Sequence, residues 1–396
     1  MEPRTRLGKA FCYLLLLLGS FLFLFPLVWL VSTSFKPNEQ ATTMPPRWVP
    51  YDYHCELDGE FRAVKRGDPL KVPMLVVRIE EGPRNGTQQQ VGLDEFRDGK
   101  VKVTVAGDTQ WLAATVLHRA EPGWYYVEQR RTEASIDAPA RWDIVPPDKI
   151  EAAPHLFGSN FPTAIRKMGS ADLWLPLLGD RTISVFWLYL RNTLIVCVLG
   201  VVGTVASSSL VGYSLSRNPW RGRGVLFALT LATMMVPFPV LMVPLYGLFK
   251  AFGWIGTLLP LWVPAMLGSG FNIFLLRQFF LTIPRDLSEA ARIDGCSEFG
   301  IYWRIILPLS KPALAVVALF HFLYAWNDFM GPLLYLTRPE TFTLSLGLQA
   351  FQSQHGGTDW VSLMAASTLI CLPIIVLFFF TQKTFIKGIA TTGIKG

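Results

Sequence analysis

Residues 284–312 read PRDLSEAARIDGCSEFGIYWRIILPLSKP, a charged stretch of helical periodicity set between two long apolar segments. It is too polar for hydrocarbon, so it lies outside the lipid core. Asp286 and Glu289 stand three apart just ahead of an apolar-periodic run, which is the pattern of a capping box and predicts a helix starting there. Leu287, Ala290, Ala291 and Asp294 follow at i, i+3, i+4 and i+7, and the two alanines let another surface approach the backbone closely. Gly295 stands where a helix stop needs positive φ. A second helix then places Phe299, Tyr302, Trp303 and Ile306 on one face, and is expected to end at Leu307-Pro308 because proline removes a donor and clashes with the preceding turn. The stretch reads as an amphipathic helical elbow at a membrane surface.

Working outward, the 396-residue chain is 51% hydrophobic and 16% charged, against about 25% charged in soluble domains. Its apolar runs are therefore read against lipid. The net charge of +7 comes from basic residues in short loops beside apolar runs, which fits positive-inside topology better than nucleic acid. After Arg4, Arg6 and Lys9, Phe11 to Val31 is almost wholly apolar, long enough for a span and too long for the core of a cleavable signal. Residues 1–35 thus form a cytoplasmic N-terminus and first span, and residues 36–180 an extracytoplasmic region. Within it a β-rich insert is expected over about residues 52–150, from the partly alternating runs Lys71–Glu80, Val101–Ala106, Trp111–Arg119 and Trp124–Arg130. Hairpin turns are expected at Gly107-Asp108-Thr109 and Glu121-Pro122-Gly123. Residues 181–396 hold five more spans, centred on Thr193–Tyr213, Gly224–Phe249, Thr257–Phe280, Pro312–Leu336 and Val361–Phe380. The expected fold is all-α integral membrane, with six transmembrane helices and a small β-rich extracytoplasmic insert between helices 1 and 2. Arg217, Arg221 and Arg223, the elbow's basic residues, and Lys383, Lys387 and Lys395 put both termini in the cytoplasm of a multi-pass inner-membrane protein.

The elbow, read as Glu289-Ala290-Ala291, then Gly295, Ile305 and Leu307-Pro308, resembles the EAA signature of permease subunits of ATP-binding-cassette importers. Phe274-Leu275-Leu276-Arg277-Gln278-Phe279-Phe280, Trp326-Asn327-Asp328-Phe329, Thr343 to Gln349 and the end from Gly388 to Gly396 are similar to the carbohydrate (maltose-type) branch, in the subunit with the smaller periplasmic part. The resemblance covers the first span and about residues 160–396, and the insert departs from it. It implies the type I permease fold, with loop 284–311 as the coupling helix that docks on a cytoplasmic ATPase through Glu289, Ala290, Ala291, Asp294, Gly295, Ile305, Leu307 and Pro308. It further implies a homologous sister permease, two ATP-binding subunits and an extracytoplasmic solute-binding protein, with a sugar or related polyol or oligosaccharide carried by alternating access.

Polar residues inside apolar helices need partners or water, which singles out Asn272, His321, Asn327 and Asp328. They face a translocation path or a subunit contact, or else make helix-to-helix hydrogen bonds. Pro237, Pro239 and Pro244 should kink the third span. No phosphate-binding glycine loop, zinc motif or nucleophile elbow occurs, so no catalytic, cofactor or metal residue is assigned, and ATP with Mg²⁺ belongs to partner subunits. A membrane-tethered sensor or binding protein would leave the elbow unexplained. A secondary transporter would need an intramembrane ion site, for which Asp328 alone qualifies.

Overall fold

The computed structural model describes the backbone of residues 6–43, 47–105, 108–130, 141–175, 179–352 and 357–390. Two compact units divide the chain: Met1–Ser34 with Ser159–Gly396, and Phe35–Gly158. Among the described residues of the first unit, four helices are long and apolar enough to cross a membrane: Gly8–Ser34, Val185–Arg217, Leu259–Thr282 and Trp360–Gln382. Two further helix pairs pass the same test together, Arg223–Thr233 with Phe238–Ala251, bent by 100°, and Glu298–Leu309 with Lys311–Asn327, bent by 79°.

The Val185–Arg217 helix is the hub of this unit, because its buried positions between 200 and 212 are all small residues: Gly200, Gly203, Thr204, Ser208, Ser209 and Gly212. Small side chains let neighbouring backbones come close where no aqueous hydrophobic force drives helices together. A Cβ at Gly212 would stand 3.3 Å from the backbone nitrogen of Arg277 and 3.4 Å from the carbonyl oxygen of Ile273, both in the Gly270–Thr282 helix. At Gly200 the missing Cβ leaves room for the His321 ring. Polar side chains of the same helix anchor the chain beyond it: Asn192 Nδ2 donates to the carbonyls of Glu340 and Phe342 at 2.8 and 3.0 Å, and Thr193 Oγ1 accepts from Leu344 N–H at 2.9 Å.

The kink expected in the third span is present, at Pro237 and not at Pro244, and the fifth span ends earlier than expected. The third apolar stretch is broken ahead of Pro237, which precedes the Phe238–Ala251 helix, whereas Pro244 is accommodated inside it. The helix beginning at Lys311 stops at Asn327 instead of running on to Leu336. There the Asp328 backbone turns extended, and its carboxylate accepts the Gly331 N–H at 3.1 Å, starting a separate Met330–Tyr335 helix. On the other side of the insert in sequence, the Asn160–Lys167 helix joins the first and last spans. Asn160 Nδ2 donates to the Ser34 carbonyl at 2.9 Å, and Lys167 pairs with Asp359, whose carboxylate also accepts the Ser362 N–H at 3.2 Å.

The second unit holds one sheet nested within the sequence of another. β1 (Tyr51–Leu57), β2 (Glu60–Pro69), β8 (Tyr125–Gln129), β9 (Trp142–Val145) and β10 (Glu151–Pro154) form an antiparallel sheet of order β10-β1-β2-β8-β9. Between β2 and β8 the chain builds a second, β4-β3-β7-β6-β5, from β3 (Met74–Ile79), β4 (Gln88–Gly92), β5 (Phe96–Arg97), β6 (Lys100–Val105) and β7 (Asp108–Ala120). Asp58-Gly59 and Asp98-Gly99 make the tight β1–β2 and β5–β6 turns with φ of 53° and 78°, and 50° and 72°, the paired positive values such hairpins need. Glu121-Pro122-Gly123 does turn the chain, but it carries it from β7 of one sheet to β8 of the other and makes no hairpin. Of the other expected turn, Gly107 lies outside the described residues, while Asp108 and Thr109 begin β7. Val77, Ile79, Val91, Val101 and Val103 fill one core, Cys55, Leu57, Val64, Val127 and Val145 the other, and Val76, Ala120 and Ile144 join them. The unit closes on itself: β1 pairs with β10, and the Phe157 N–H donates to the Phe35 carbonyl at 3.1 Å.

Candidate functional site: the elbow and the cavity behind it

The elbow begins with the Asp286–Ile293 helix, but Asp286 does not cap it. The chain is already helical at Arg285, whose carbonyl accepts from Ser288 and Glu289 at 2.9 and 3.0 Å, so Asp286 and Glu289 fall in the first turn, where their charge meets the free N–H groups. Gly295, at φ of 79°, ends it, with its own N–H on the Arg292 carbonyl and the Cys296 N–H on that of Ala291. The Ser297 hydroxyl then caps a short helix, accepting the Gly300 N–H at 3.1 Å. From Tyr302 to Ile306 the chain forms a π-helical turn, directly before Pro308, whose missing N–H breaks a regular ladder there. The helical path continues past Leu307-Pro308 to Leu309 and bends at Ser310.

The elbow has an anchored side and a presented side. Ser288, Ala291, Ile301, Tyr302 and Ile306 are buried, and Ile305 and Leu307 pack against the same cluster with Leu276, Phe280 and Val317 of the bundle. Glu289, Ala290, Asp294 and Pro308 are exposed. So are Leu287 (44%), Ile293 (87%), Phe299 (65%) and Trp303 (61%), the last two stacked with ring centroids 6.3 Å apart. The expected shared face of Phe299, Tyr302, Trp303 and Ile306 is therefore divided. Tyr302 and Ile306, four apart, point into the bundle, and Phe299 and Trp303, also four apart, point away from it.

Side-chain hydrogen bonds that the motif does not specify hold this elbow in place. Tyr213 Oη donates to the Glu298 carboxylate at 2.9 Å, and Arg292 Nε donates to its other oxygen at 2.7 Å. Arg217, one turn beyond Tyr213, donates to the carbonyls of Phe280 and Ile283, the open C-terminal end of the Gly270–Thr282 helix. Tyr302 Oη lies 2.8 Å from Ser209 Oγ. The signal was present in sequence: Tyr213 and Arg217 at i and i+4 at the basic end of a span, and Ser297-Glu298 as a cap with an acid in the first turn.

Within the same unit lies a cavity of about 480 Å³. Asn272, His321 and Asp328 line it; Asn327 does not, being exposed with Nδ2 bonded to the Leu323 carbonyl at 2.8 Å. Asn272 Nδ2 lies 3.4 Å from Thr204 Oγ1 on the Val185–Arg217 helix. Among the described residues no three metal-ligating side chains gather.

A bundle of apolar helices carrying a charged, anchored elbow is the architecture of a membrane transport component. The chain belongs to the family of binding-protein-dependent transport system inner membrane components, which it matches over residues 205–391. It is 39% identical over 234 residues to the arabinooligosaccharides transport system permease protein AraQ of Bacillus subtilis, a match spanning 58% of this chain and 80% of that one. To the trehalose/maltose transport system permease protein MalG of Thermococcus litoralis it is 35% identical over 224 residues, 56% of this chain and 80% of that one. Its fold is similar to that of a bacterial ABC transporter involved in the import of the acidic polysaccharide alginate, with a TM-score of 0.50 and 22% identity over 61% of this chain and 81% of that chain. The helical unit thus has the type I ABC permease fold, and the Phe35–Gly158 unit precedes the family match in sequence.

Proposed function

We propose that this chain is the permease subunit of an ATP-binding-cassette importer that carries a sugar, polyol or oligosaccharide across the inner membrane by ATP-driven alternating access. Its relatives are permeases of oligosaccharide and trehalose/maltose transport systems, which supports the solute class. Counting each bent helix pair as one span makes six spans, and the basic loops then leave both termini and the elbow in the cytoplasm. The partners are a homologous sister permease, two ATPases that hold ATP and Mg²⁺, and an extracytoplasmic solute-binding protein. The Phe35–Gly158 unit, on the outer side in this topology, steadies the docking of that binding protein or contacts the sister permease.

The observation that carries this reading is the divided elbow. Leu287, Ile293, Phe299 and Trp303 are exposed apolar side chains on the segment that carries Ala290, while Ala291, Ile301, Tyr302 and Ile306 tie the same segment to three apolar helices. An exposed apolar patch with a polar rim calls for a protein partner. Its rigid attachment lets a push on that partner's side reach the bundle, which is what coupling ATP hydrolysis to transport demands. Ala290→Trp tests this directly. Overfilling a closely packed interface costs about 1–3 kcal/mol, so ATPase binding and uptake should fall roughly five- to hundredfold while the amount of membrane-inserted chain stays the same. Uptake and ATPase recovery equal to those of the unmodified complex would show that the elbow rests on lipid and would remove the coupling assignment.

A further inference from the structure

Resting on the coupling role proposed above, we propose that Glu298 is the positioning residue of the elbow: its carboxylate ties the helix that carries Ala290 to the Val185–Arg217 helix, so that motion of the ATPase reaches the bundle and is not lost within the elbow. The elbow has a joint at Gly295, whose φ of 79° turns the chain between the Asp286–Ile293 helix and the Glu298–Ile301 helix. Ala290 lies on the first helix and Glu298 opens the second. A jointed segment transmits a push only where something holds its two arms together.

Glu298 does this with both carboxylate oxygens. One accepts from Arg292 Nε at 2.7 Å, reaching back across the Gly295 turn, and the other accepts from Tyr213 Oη at 2.9 Å. Among the described residues, Arg292 is the one member of the Asp286–Ile293 helix whose side chain makes a hydrogen bond or an ion pair. The directional contacts that lead from the first helix into the bundle therefore run through Arg292, Glu298 and Tyr213.

These groups supply direction more than stability. The Arg292 and Glu298 side chains are 41% and 46% exposed, and ion pairs that open to solvent contribute little to folding. Ala291, Ile301, Tyr302 and Ile306 already hold the elbow to Leu276, Phe280 and Val317 by apolar contact. Such contact resists separation but has no preferred direction, so by itself it lets the first helix rock over the bundle. Hydrogen bonds weaken steeply as they bend, so the link from Arg292 through Glu298 to Tyr213 fixes the angle at which the elbow meets the Val185–Arg217 helix. Tyr213 is the firm end of that link, 3% exposed and with its ring centroid 5.2 Å from that of Tyr302.

The test uses the whole importer in proteoliposomes and measures radiolabelled arabinotriose, maltotriose and trehalose imported per ATP hydrolysed, for the unmodified complex, Tyr213→Phe, Glu298→Ala and the double variant. Tyr213→Phe removes one oxygen and keeps the ring against Tyr302, so it guards against a folding artefact of Glu298→Ala. A purely structural loss lowers the amount of complex, reducing import and hydrolysis alike and leaving their ratio where it was. The expected result is that each single variant lowers the ratio roughly three- to tenfold, the effect of one hydrogen bond, while hydrolysis per complex continues. The double variant should fall no further than Glu298→Ala, because both changes act through one carboxylate. An unchanged ratio in either single variant, or a double variant that falls by the product of the two, overturns the positioning role and leaves the permease reading intact. If the unmodified complex hydrolyses ATP but imports none of the three, the carbohydrate-importer reading falls, and the positioning role falls with it.

Discussion

The two units of this chain differ in the polar groups they bury and in the apolar groups they expose. In the helical unit Asn192, Thr204, Ser208 and Ser209 are at most 1% exposed, while Phe23, Val243 and Phe380 are 80% exposed or more. In the Phe35–Gly158 unit the pattern turns over, with Val76, Val77 and Ile79 fully buried. The helical unit buries small and polar side chains beside its apolar clusters and exposes large apolar ones, whereas each sheet of the other unit encloses a core of mainly branched apolar side chains. The contrast identifies the solvent each unit folds in. Where lipid surrounds a helix, large apolar groups gain nothing by turning inward, and close backbone approach and hydrogen bonds hold the bundle. Where water surrounds a sheet, the hydrophobic effect drives one face inward.

This comparison breaks most decisively on paired truncations. Ile79→Ala should cost about 2–5 kcal/mol in the sheet unit, because it empties a fully enclosed site. Phe380→Ala removes a larger side chain from an 82% exposed position in the last apolar helix and should cost the fold less than about 0.5 kcal/mol. Limited proteolysis of the full-length protein in bilayer nanodiscs over a temperature series reads both, since the cleavage sites report which unit opens. Equal losses would mean that Phe380 is packed against protein and that the exposed apolar face of the last helix does not meet lipid.

A smaller effect is expected at Gly212. Its neighbours at 3.3 and 3.4 Å are backbone atoms of the Gly270–Thr282 helix, which yield only if the helices part. Gly212→Val should therefore destabilise the bundle by about 1–3 kcal/mol, read as a lower temperature of aggregation in detergent, with the cleavage of the sheet unit unaltered. Gly224→Val is the control, since a Cβ there meets nothing within 4 Å. If the two glycine variants behave alike, the small-residue seam does not hold the bundle.

The elbow was the most legible part of the sequence, because its helix start, its Gly295 stop and its apolar residues are local signals read within a dozen positions. What the sequence left open there was the division between Phe299 with Trp303 and Tyr302 with Ile306. Four residues of suitable spacing can lie on one helical face or two, and a π-helical turn shifts the phase. The apolar helices were legible as hydrophobic length, but their ends were not. Asp328 could be read as a buried carboxylate or a cap, and only the Gly331 N–H beside it decides. In the sheet unit, alternation located four of the strands. The nesting of one sheet inside the sequence of the other depends on pairings between residues as distant as Tyr51 and Pro154, which no local pattern carries. Asp58-Gly59 and Asp98-Gly99 were hairpin signals of the strongest short-range kind and marked two turns that alternation alone did not.

The smallest expected effect is an absence of reaction, and it sharpens both the comparison and the topology. Cys55 is fully buried in the core of the sheet that holds β1 and β2, and burial, with the Asp143 carboxylate adding to it, pushes its thiol up to about 11. The thiolate is the reactive form, so at neutral pH Cys55 is both enclosed and protonated, and reactivity is gained only as the pH rises toward that value. A membrane-impermeant maleimide applied to intact spheroplasts at pH 7 should therefore leave Cys55 unlabelled even though the proposed topology puts its unit on the outer side. Phe61→Cys, at a position 61% exposed in the same sheet, should label under the same conditions. Cys296, exposed on the elbow, should label only after the membrane is permeabilised. Labelling of Cys55 at pH 7 would mean the sheet core is open, a silent Phe61→Cys would put that unit on the inside, and labelling of Cys296 in intact spheroplasts would reverse the orientation on which the coupling assignment depends.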